Sequence, residues 1–261
     1  MQDSRRRNYE EFLAVTHEFE RDYWWFHGLR AYTEAFLDRL PARGNLVVLD
    51  AGCGPGGNYP LVSRYGKVFA FDFMFPVLRF ARTYGVVRSA CASITHIPFA
   101  DSRFDLAFSF DVLTAIEPRE QQGALSELFR VLKPGAHLFL NLAALSILWG
   151  KQDVAGNIKV RYSRGLLLRQ LSYAGFEVLR SSYAFAFSFP AMLAVRLVDR
   201  YVLRSLESAG PEGDFFRLPG PINKALTLAA RVEARLLRHI SLPIGSSVMA
   251  LARKPAGAAR D

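Results

Sequence analysis

Residues that build covalent or metal frameworks are scarce in this chain of 261 residues, which has two cysteines, Cys53 and Cys91, and five histidines. Two cysteines with no CxxC pair cannot supply a zinc cluster, so no metal is expected, and they exclude a disulfide scaffold. Such scarcity points to a reducing compartment, the cytoplasm. Long apolar runs are lacking too. HLFLNLAALSILWG (137–150) and YAFAFSFPAMLAV (183–195) are the longest, and both stop short of the ~20 residues that cross a bilayer. The N-terminus, MQDSRRRNYEE, has basic residues with no apolar stretch behind them, unlike a secretory signal. There are no internal repeats or low-complexity tracts, and no dense basic run beyond Arg5–Arg7. Aromatics do not interleave with cations as they do on RNA-binding surfaces, so nucleic acid is not expected as a partner.

What the chain does have is positive charge, +9 overall with arginine far outnumbering lysine, in a composition that is 51% hydrophobic and 22% charged. This suits one large α/β domain with additions, or two small domains. Solvated helix faces account for the charge; an anionic small substrate or an anionic membrane surface is equally compatible with it. One stretch, DYWWFHGLR (22–30), sets four aromatic side chains in a row. Neighbouring residues on a helix point about 100° apart. No single face can bury Tyr23, Trp24, Trp25 and Phe26 together, so at least one ring has a use beyond the ordinary core.

Phe12, Val15, Phe19, Tyr23 and Phe26 recur at three- and four-residue spacing and predict one amphipathic helix. Leu29, Tyr32, Phe36, Leu37 and Leu40 predict a second, stopped at Pro41. Strands then alternate with helices. NLVVLDAG (45–52), VFAFDF (68–73), the weaker VVRSACAS (86–93), FDLAFSFD (104–111) and AHLFLNL (136–142) read as strands, FPVLRFARTYG (75–85) and ALSELFRVL (124–132) as helices. Apolar runs separated by helices imply an α/β fold with a parallel sheet covered on both faces. SRGLLLRQLSYAGF (163–176) is a helix with Ser163 as its N-cap and Gly175 ending it. FEVLRSSYAF (176–185) and SSVMALARK (246–254) are strands. The stretch between them, 186–245, is mostly helical, with a loop at 208–221 and a helix from about Pro221 to His239.

LDAGCGPGGN (49–58) closes the first strand of the parallel series. Gly52, Gly54 and Gly56 permit a tight turn and let a ligand approach the backbone. Asp50 precedes them by two residues, and Asp72 ends the next strand 22 positions beyond Asp50. An acid at that strand end can accept both ribose hydroxyls of an adenosine. A dinucleotide-dependent oxidoreductase shares this logic, but the downstream run PF…FD…LKPG has no role there.

The segments LDAGCGPGG, FDFMFPVLRFAR, THIPFADSRFDLAFSFDVL and ELFRVLKPGAHLFL resemble, in order and spacing, the successive motifs of class I S-adenosylmethionine-dependent methyltransferases over roughly residues 45–142. LWGKQD (148–153), RYSRGLLLRQLSYAGFEV (161–178) and Trp24, Trp25, Phe26 and Arg30 resemble a bacterial subgroup with an N-terminal WWF…R signature. The resemblance implies a Rossmann-like sheet of seven strands, mostly parallel with the last antiparallel. It divides the chain into an N-terminal helical lid (1–42), a cofactor-binding core (43–185), a helical insertion capping the acceptor (186–245), and a final core strand with tail (246–261). It implies S-adenosyl-L-methionine as cofactor and methyl transfer to an oxygen, nitrogen or carbon of a small molecule. In this reading Asp50 and the backbone of Gly52 hold the methionine end, within the loop that Gly54 and Gly56 complete. Asp72 binds the ribose, and Phe73 lies near the adenine. Ser93 and Ile94 border the adenine edge, where many relatives carry aspartate at the Ser93 position. Phe110 and Asp111 line the methionine side, and Ala115 stands where relatives often carry histidine. A non-catalytic cofactor-binding relative acting as an interaction protein is the alternative.

Two readings of the aromatic row follow. As a lid, Trp24 and Trp25 face the cofactor and attract its sulfonium cation; as an anchor, they hold the N-terminal helix to the core. Arg30 is either the partner of the cofactor carboxylate or a surface arginine. His27, Asp153 and Tyr162 are the candidates for a general base, and Arg161 with Tyr162 would orient the acceptor's head group. Phe187, Phe189, Met192 and Leu193, together with Arg196, Arg200 and Arg204, suit an apolar acceptor with a polar or anionic head, or shallow contact with an anionic membrane. Plain packing of amphipathic helices is the other reading. The oligomeric state leaves no trace in the sequence.

Overall fold

A computed structural model describes residues 2–38, 40, 44–203, 210 and 212–257; Pro41, the boundary at 42/43 and Arg204 lie outside the described residues. Seven strands form one sheet: β1 (Leu46–Ala51), β2 (Gly66–Asp72), β3 (Ser89–Cys91), β4 (Phe104–Phe110), β5 (Leu132–Ala143), β6 (Glu177–Ala184) and β7 (Ser247–Arg253), in the spatial order β3-β2-β1-β4-β5-β7-β6. The pairs β1–β2, β1–β4, β2–β3 and β4–β5 are parallel, and β7 runs antiparallel to both β5 and β6. Central strands are covered on both faces, which is why they read as unbroken apolar runs: Val48 and Leu49, neighbours on opposite faces of β1, are both fully buried. Strand order reverses at β1. Loops leaving β1 and β4 therefore diverge to opposite sides of the sheet and open a crevice at the strand C-termini.

On one face, α6 (Pro118–Val131) and α8 (Arg164–Tyr173) bury Leu125, Leu128, Leu167 and Leu171 against Leu138 and Leu140 of β5. On the other, α2 (Trp24–Phe36) and α10 (Gly220–Leu237) bury Leu29, Phe36, Ala234 and Leu237 against Val48, Leu106 and Phe139. The first helix, α1 (Gln2–Phe19), packs on elements beyond the strand C-termini. Its Phe12 and Leu13 cluster with Met74 and Val77 at α4 (Val77–Thr83) and with Ala155 of α7 (Lys151–Ala155). Shorter helices α3 (Tyr59–Val62) and α5 (Val112–Ala115) follow β1 and β4, and α9 (Phe189–Val198) runs into a π-helical turn at Asp199–Leu203. Among the described residues no helix is long and apolar enough to cross a membrane.

Several boundaries differ from the sequence expectation: the helix expected from Ala124 already starts at Pro118, the second helix ends at Phe36 rather than near Pro41, and two further differences have a visible cause. The break between the first two helices falls at Glu20–Tyr23 rather than after Phe26. The cause is tertiary: Asn223 of α10 accepts the Trp24 N–H at 2.9 Å through Oδ1 and donates from Nδ2 to the Asp22 carbonyl at 2.7 Å, starting a new helix at Trp24. The strand expected from Ala136 begins at Leu132, because Leu132 already pairs with Phe104. The Lys133–Pro134–Gly135 turn is absorbed as an irregularity of the β4–β5 ladder. Ser163 does cap α8, its Oγ accepting the Leu166 N–H at 3.2 Å.

Candidate active site

A cavity of about 1050 Å³ opens at the C-terminal ends of β1, β2 and β4, walled by α1 and by Tyr23–Phe26. The loop after β1 forms its floor. At Gly54 (φ +52°) the place a Cβ would take is empty among the described residues, so the backbone lies open to the cavity. Gly56 (φ +96°) does not line the cavity. A Cβ there would stand 2.8 Å from Cα of Ala81, so its bareness serves packing on α4 rather than a ligand.

Asp72, at the end of β2, accepts the Gly54 N–H at 2.8 Å and the Met74 N–H at 2.9 Å. Burial raises its pKa, and those backbone donors, with Phe73 N–H, pull it back. A carboxylate has about four acceptor positions, so capacity remains for at least one further donor. Phe73 stands at the rim, 72% exposed. Ile94 lines the cavity as a buried side chain. Ser93 lines it as well, but its hydroxyl is turned into its own loop, 2.8 Å from Thr95 Oγ1 and accepting the Thr95 N–H at 3.2 Å.

Two buried carboxylates stand by the glycine loop. Asp50 is 1% exposed and neither oxygen has a hydrogen-bond partner among the described residues. Burial, reinforced by the charge of Asp72, pushes it up to about 7. It belongs to β1 and does not itself line the cavity; Gly52, which ends that strand, does. Glu20 reaches the cavity from the turn between α1 and α2 and presses against Gly57, with Oε2 unpartnered among the described residues. Burial pushes Glu20 up to about 8; Arg30 and the Gly57 N–H oppose the rise, and Asp50 adds to it.

Across the cavity, Phe110 and Asp111 end β4. Asp111 holds a left-handed conformation (φ +59°), uncommon for a residue with a side chain. Its N–H donates to the Asn141 carbonyl and Asn141 Nδ2 donates to its Oδ2, both at 2.8 Å. Burial pushes Asp111 up to about 7, against the Asn141 and Ala143 hydrogen bonds and the charge of Arg161.

All four rings of Tyr23–Phe26 line the cavity, and all are held from behind. Trp25 stacks on Phe185 (5.5 Å, 9°) and Trp24 meets the same ring at 78°. Tyr23 and Phe26 pack on Phe215, which also stacks with Phe12 and Phe19. Cavity wall and anchor are therefore two sides of the same rings.

The polar groups chosen by residue type fare differently. His27 and Arg30 do not line the cavity; they face a separate cleft together with Arg64 and Arg231. Arg30 donates to the carbonyls of Gly57 (3.0 Å) and Glu20 (2.9 Å), bracing the glycine loop against the α1–α2 turn. Burial lowers the pKa of His27, as do Arg30 and Arg231. Tyr162 is fully buried in the core beneath α8, off the cavity. Asp153 and Arg161 reach the cavity already bound to each other: Arg161 Nε and Nη2 donate to the two carboxylate oxygens at 2.8 and 3.1 Å. Asp153 also accepts the Gly150 N–H at 2.7 Å, and Arg161 Nη1 donates to the Ala144 carbonyl at 2.8 Å. Three donors already occupy this carboxylate, so its place in the structure is that of Arg161's partner rather than of a free base. From α9, Met192 and Arg196 line the cavity while Leu193 and Arg200 do not, and Phe187 packs on Trp24. Arg196, 3% exposed, is held by Asp214 and by the Leu148 carbonyl.

A family model described as a methyltransferase domain matches residues 49–140. A malonyl-[acyl-carrier protein] O-methyltransferase from Enterobacter lignolyticus is 33% identical over 189 residues, 69% of this chain and 71% of that protein. A protein of the same name from Pseudescherichia vulneris is 38% identical over 125 residues, 45% of this chain and 47% of its own length. Among solved structures, an S-adenosylmethionine-dependent methyltransferase from Mesorhizobium loti shares the fold with a TM-score of 0.56 at 17% identity, over 85% of this chain and 97% of its own.

The chain belongs to the class I S-adenosylmethionine-dependent methyltransferases. Its cofactor is S-adenosyl-L-methionine, and the residues of the crevice fit that molecule. Open backbone at Gly54, spare acceptor capacity on Asp72 and two under-partnered carboxylates are what a ribose diol and an ammonium-bearing methionine need. Several contributors to the methyltransferase's crevice escaped the sequence reading, Glu20, Asn141 and Phe215 among them. Glu20 follows Phe12 and Thr16 at four-residue spacing, one residue past the end of α1, and an acid continuing that buried stripe is the signal that marks it. Asn141 looks like one polar residue in an apolar strand, and Phe215 sits in a loop with no periodicity.

Proposed function

We propose that this methyltransferase moves a methyl group to a hydroxyl oxygen of an apolar small molecule, with Asp111 as general base. Asp111 is the observation that carries the reading: it lines the cavity, is oriented by Asn141, and is pushed up to about 7. A base works best when its pKa lies near the working pH. The relative from Enterobacter lignolyticus is named as an O-methyltransferase of malonyl-[acyl-carrier protein], which supports an oxygen acceptor without favouring a hydroxyl over a carboxylate.

When bound, the cofactor supplies an electrophilic methyl group on a sulfonium centre. In this reading Asp72 accepts from the ribose hydroxyls, Glu20 receives the α-ammonium with the buried carboxyl of Asp50 behind the glycine loop, and Phe73 and Ile94 flank the adenine. The wall of Tyr9, Phe12, Trp24, Trp25, Met192 and Phe215 receives the acceptor's apolar body and excludes water. Arg161 and Arg196 are neutralised by Asp153 and Asp214, so that end favours a neutral polar group over an anion. Asp111 takes the hydroxyl proton as the oxygen lines up with the methyl group.

Radiolabelled methyl transfer to a panel of phenols, long-chain alcohols, amines and carboxylates tests the acceptor class, with hydroxyl compounds expected to react. With the best acceptor, Asp111→Asn should lower kcat by ~10²–10⁴-fold and leave S-adenosylhomocysteine affinity within about threefold. Wild-type activity should rise with pH through about 7, as the base loses its proton, and the variant should lose that rise. Full activity in the variant overturns the assignment.

A further inference from the structure

One face of α10 has no counterpart in the methyl-transfer site. Its inner side is settled by Ala230, Glu233, Ala234 and Leu237, all buried. Glu233 accepts from Tyr32 Oη at 2.9 Å and from the N–H groups of Ala186 and Phe187 at 3.0 and 2.8 Å. On the outer side Leu228, Val232 and Leu236 follow at four-residue spacing, and Ile240 continues the spacing just past the helix. They are 63%, 47%, 52% and 51% exposed. Single exposed apolar residues are ordinary, but a contiguous row marks a surface that something covers.

Beside this stripe run Lys224, Arg231 and Arg235, all exposed, with Arg238 just beyond the helix. The one acid of α10 is Glu233, which is buried. The cationic edge continues into a cleft of about 510 Å³ between α10, α2 and α3, where Arg231, Arg235 and Arg238 face Arg21, Arg30 and Arg64. Arg64 pairs with Glu34, and Arg238 lies 3.6 Å from Asp38. Arg231 and Arg235 have no ion pair among the described residues.

We propose that the outer face of α10 is a docking surface for an anionic membrane. The stripe would lie at the boundary of headgroups and acyl chains, with the arginines against lipid phosphates. An apolar face edged by cations is the makeup of a helix lying in a membrane interface. Self-association is the less favourable occupant. A two-fold pairing of α10 with itself brings two cationic rows together with no exposed acid on the helix to meet them, in a chain of net charge +9. The proposal holds whichever acceptor is methylated.

Co-sedimentation with phosphatidylcholine vesicles, with and without phosphatidylglycerol, tests it on the full chain. Partition onto the anionic vesicles should be at least about tenfold stronger and should fall with salt. Inorganic phosphate at equal ionic strength should compete no better than chloride. Arg231→Glu/Arg235→Glu and Val232→Glu/Leu236→Glu should each weaken partition by at least about tenfold, while S-adenosylhomocysteine affinity by calorimetry stays within about threefold. Leu228→Glu repeats the test on the stripe if the apolar pair of substitutions disturbs folding. Equal partition onto both vesicle types, or undiminished binding by the variants, overturns the proposal. So does selective displacement by phosphate, or a lipid-free dimer that the stripe variant dissolves.

Discussion

Glu20→Gln should move stability and cofactor affinity in opposite directions. In the free enzyme the carboxyl is buried against Gly57 and pushed from an ordinary 4.5 to about 8. The folded chain therefore holds that proton more tightly than the unfolded chain does. The resulting stability is complete below about 4.5 and is lost as the pH rises through about 8, at ~1.4 kcal/mol per pH unit within that window. Glutamine has the same shape and cannot ionise, so the variant escapes the loss. Near pH 8 it should exceed the wild type by a few kcal/mol, with Tm higher by roughly 2–4 °C per kcal/mol; near pH 5 the two should almost coincide. Cofactor binding should respond the other way. Loss of a charge-assisted hydrogen bond to the α-ammonium, ~1.5–3 kcal/mol, should weaken S-adenosylhomocysteine by roughly ten- to hundredfold. Thermal melts at the two pH values and calorimetry at the higher one read both effects. A stability gain that is the same at both pH values refutes the burial argument, and unchanged affinity refutes the role given to Glu20.

Arg161→Ala should destabilise the fold by ~3–5 kcal/mol, because it leaves Asp153, 1% exposed, without its cation; urea titration checks this, and a loss of activity without loss of stability would contradict it. Tryptophan fluorescence should change when S-adenosylhomocysteine is added, and the change should vanish in Trp24→Phe/Trp25→Phe. A response that persists there comes from Trp149 and assigns the paired rings to anchoring alone.

The parallel half of the sheet is legible because β1, β2 and β4 are buried on both faces and carry uninterrupted apolar runs, whereas β3 has only three residues and a faint signature. The glycine-loop side of the crevice is legible for a related reason. Gly52, Gly54 and Asp72 stand at the ends of adjacent strands, so their chain spacing carries their placement at the cavity. The α1–α2 break is not legible, since its cap comes from Asn223, far along the chain. Residue type alone marks the candidate acid–base groups in the sequence, and type carries no direction. His27 faces the arginine cleft while Trp25, two residues earlier, lines the cavity. Asp153 and Arg161, eight residues apart, cancel each other. Asp111 could be placed at the crevice from its motif, but its raised pKa depends on burial and its orientation on Asn141, which no local pattern displays.

Calorimetric titration of S-adenosylhomocysteine into the wild type and Asp72→Ala tests most directly whether the cofactor occupies the crevice at the ends of β1 and β2. The account predicts saturable binding by the wild type and an affinity at least about tenfold weaker in the variant, from the loss of one or two hydrogen bonds to a charged acceptor. Unchanged affinity in Asp72→Ala, or tight binding of NAD by the wild type, would contradict it.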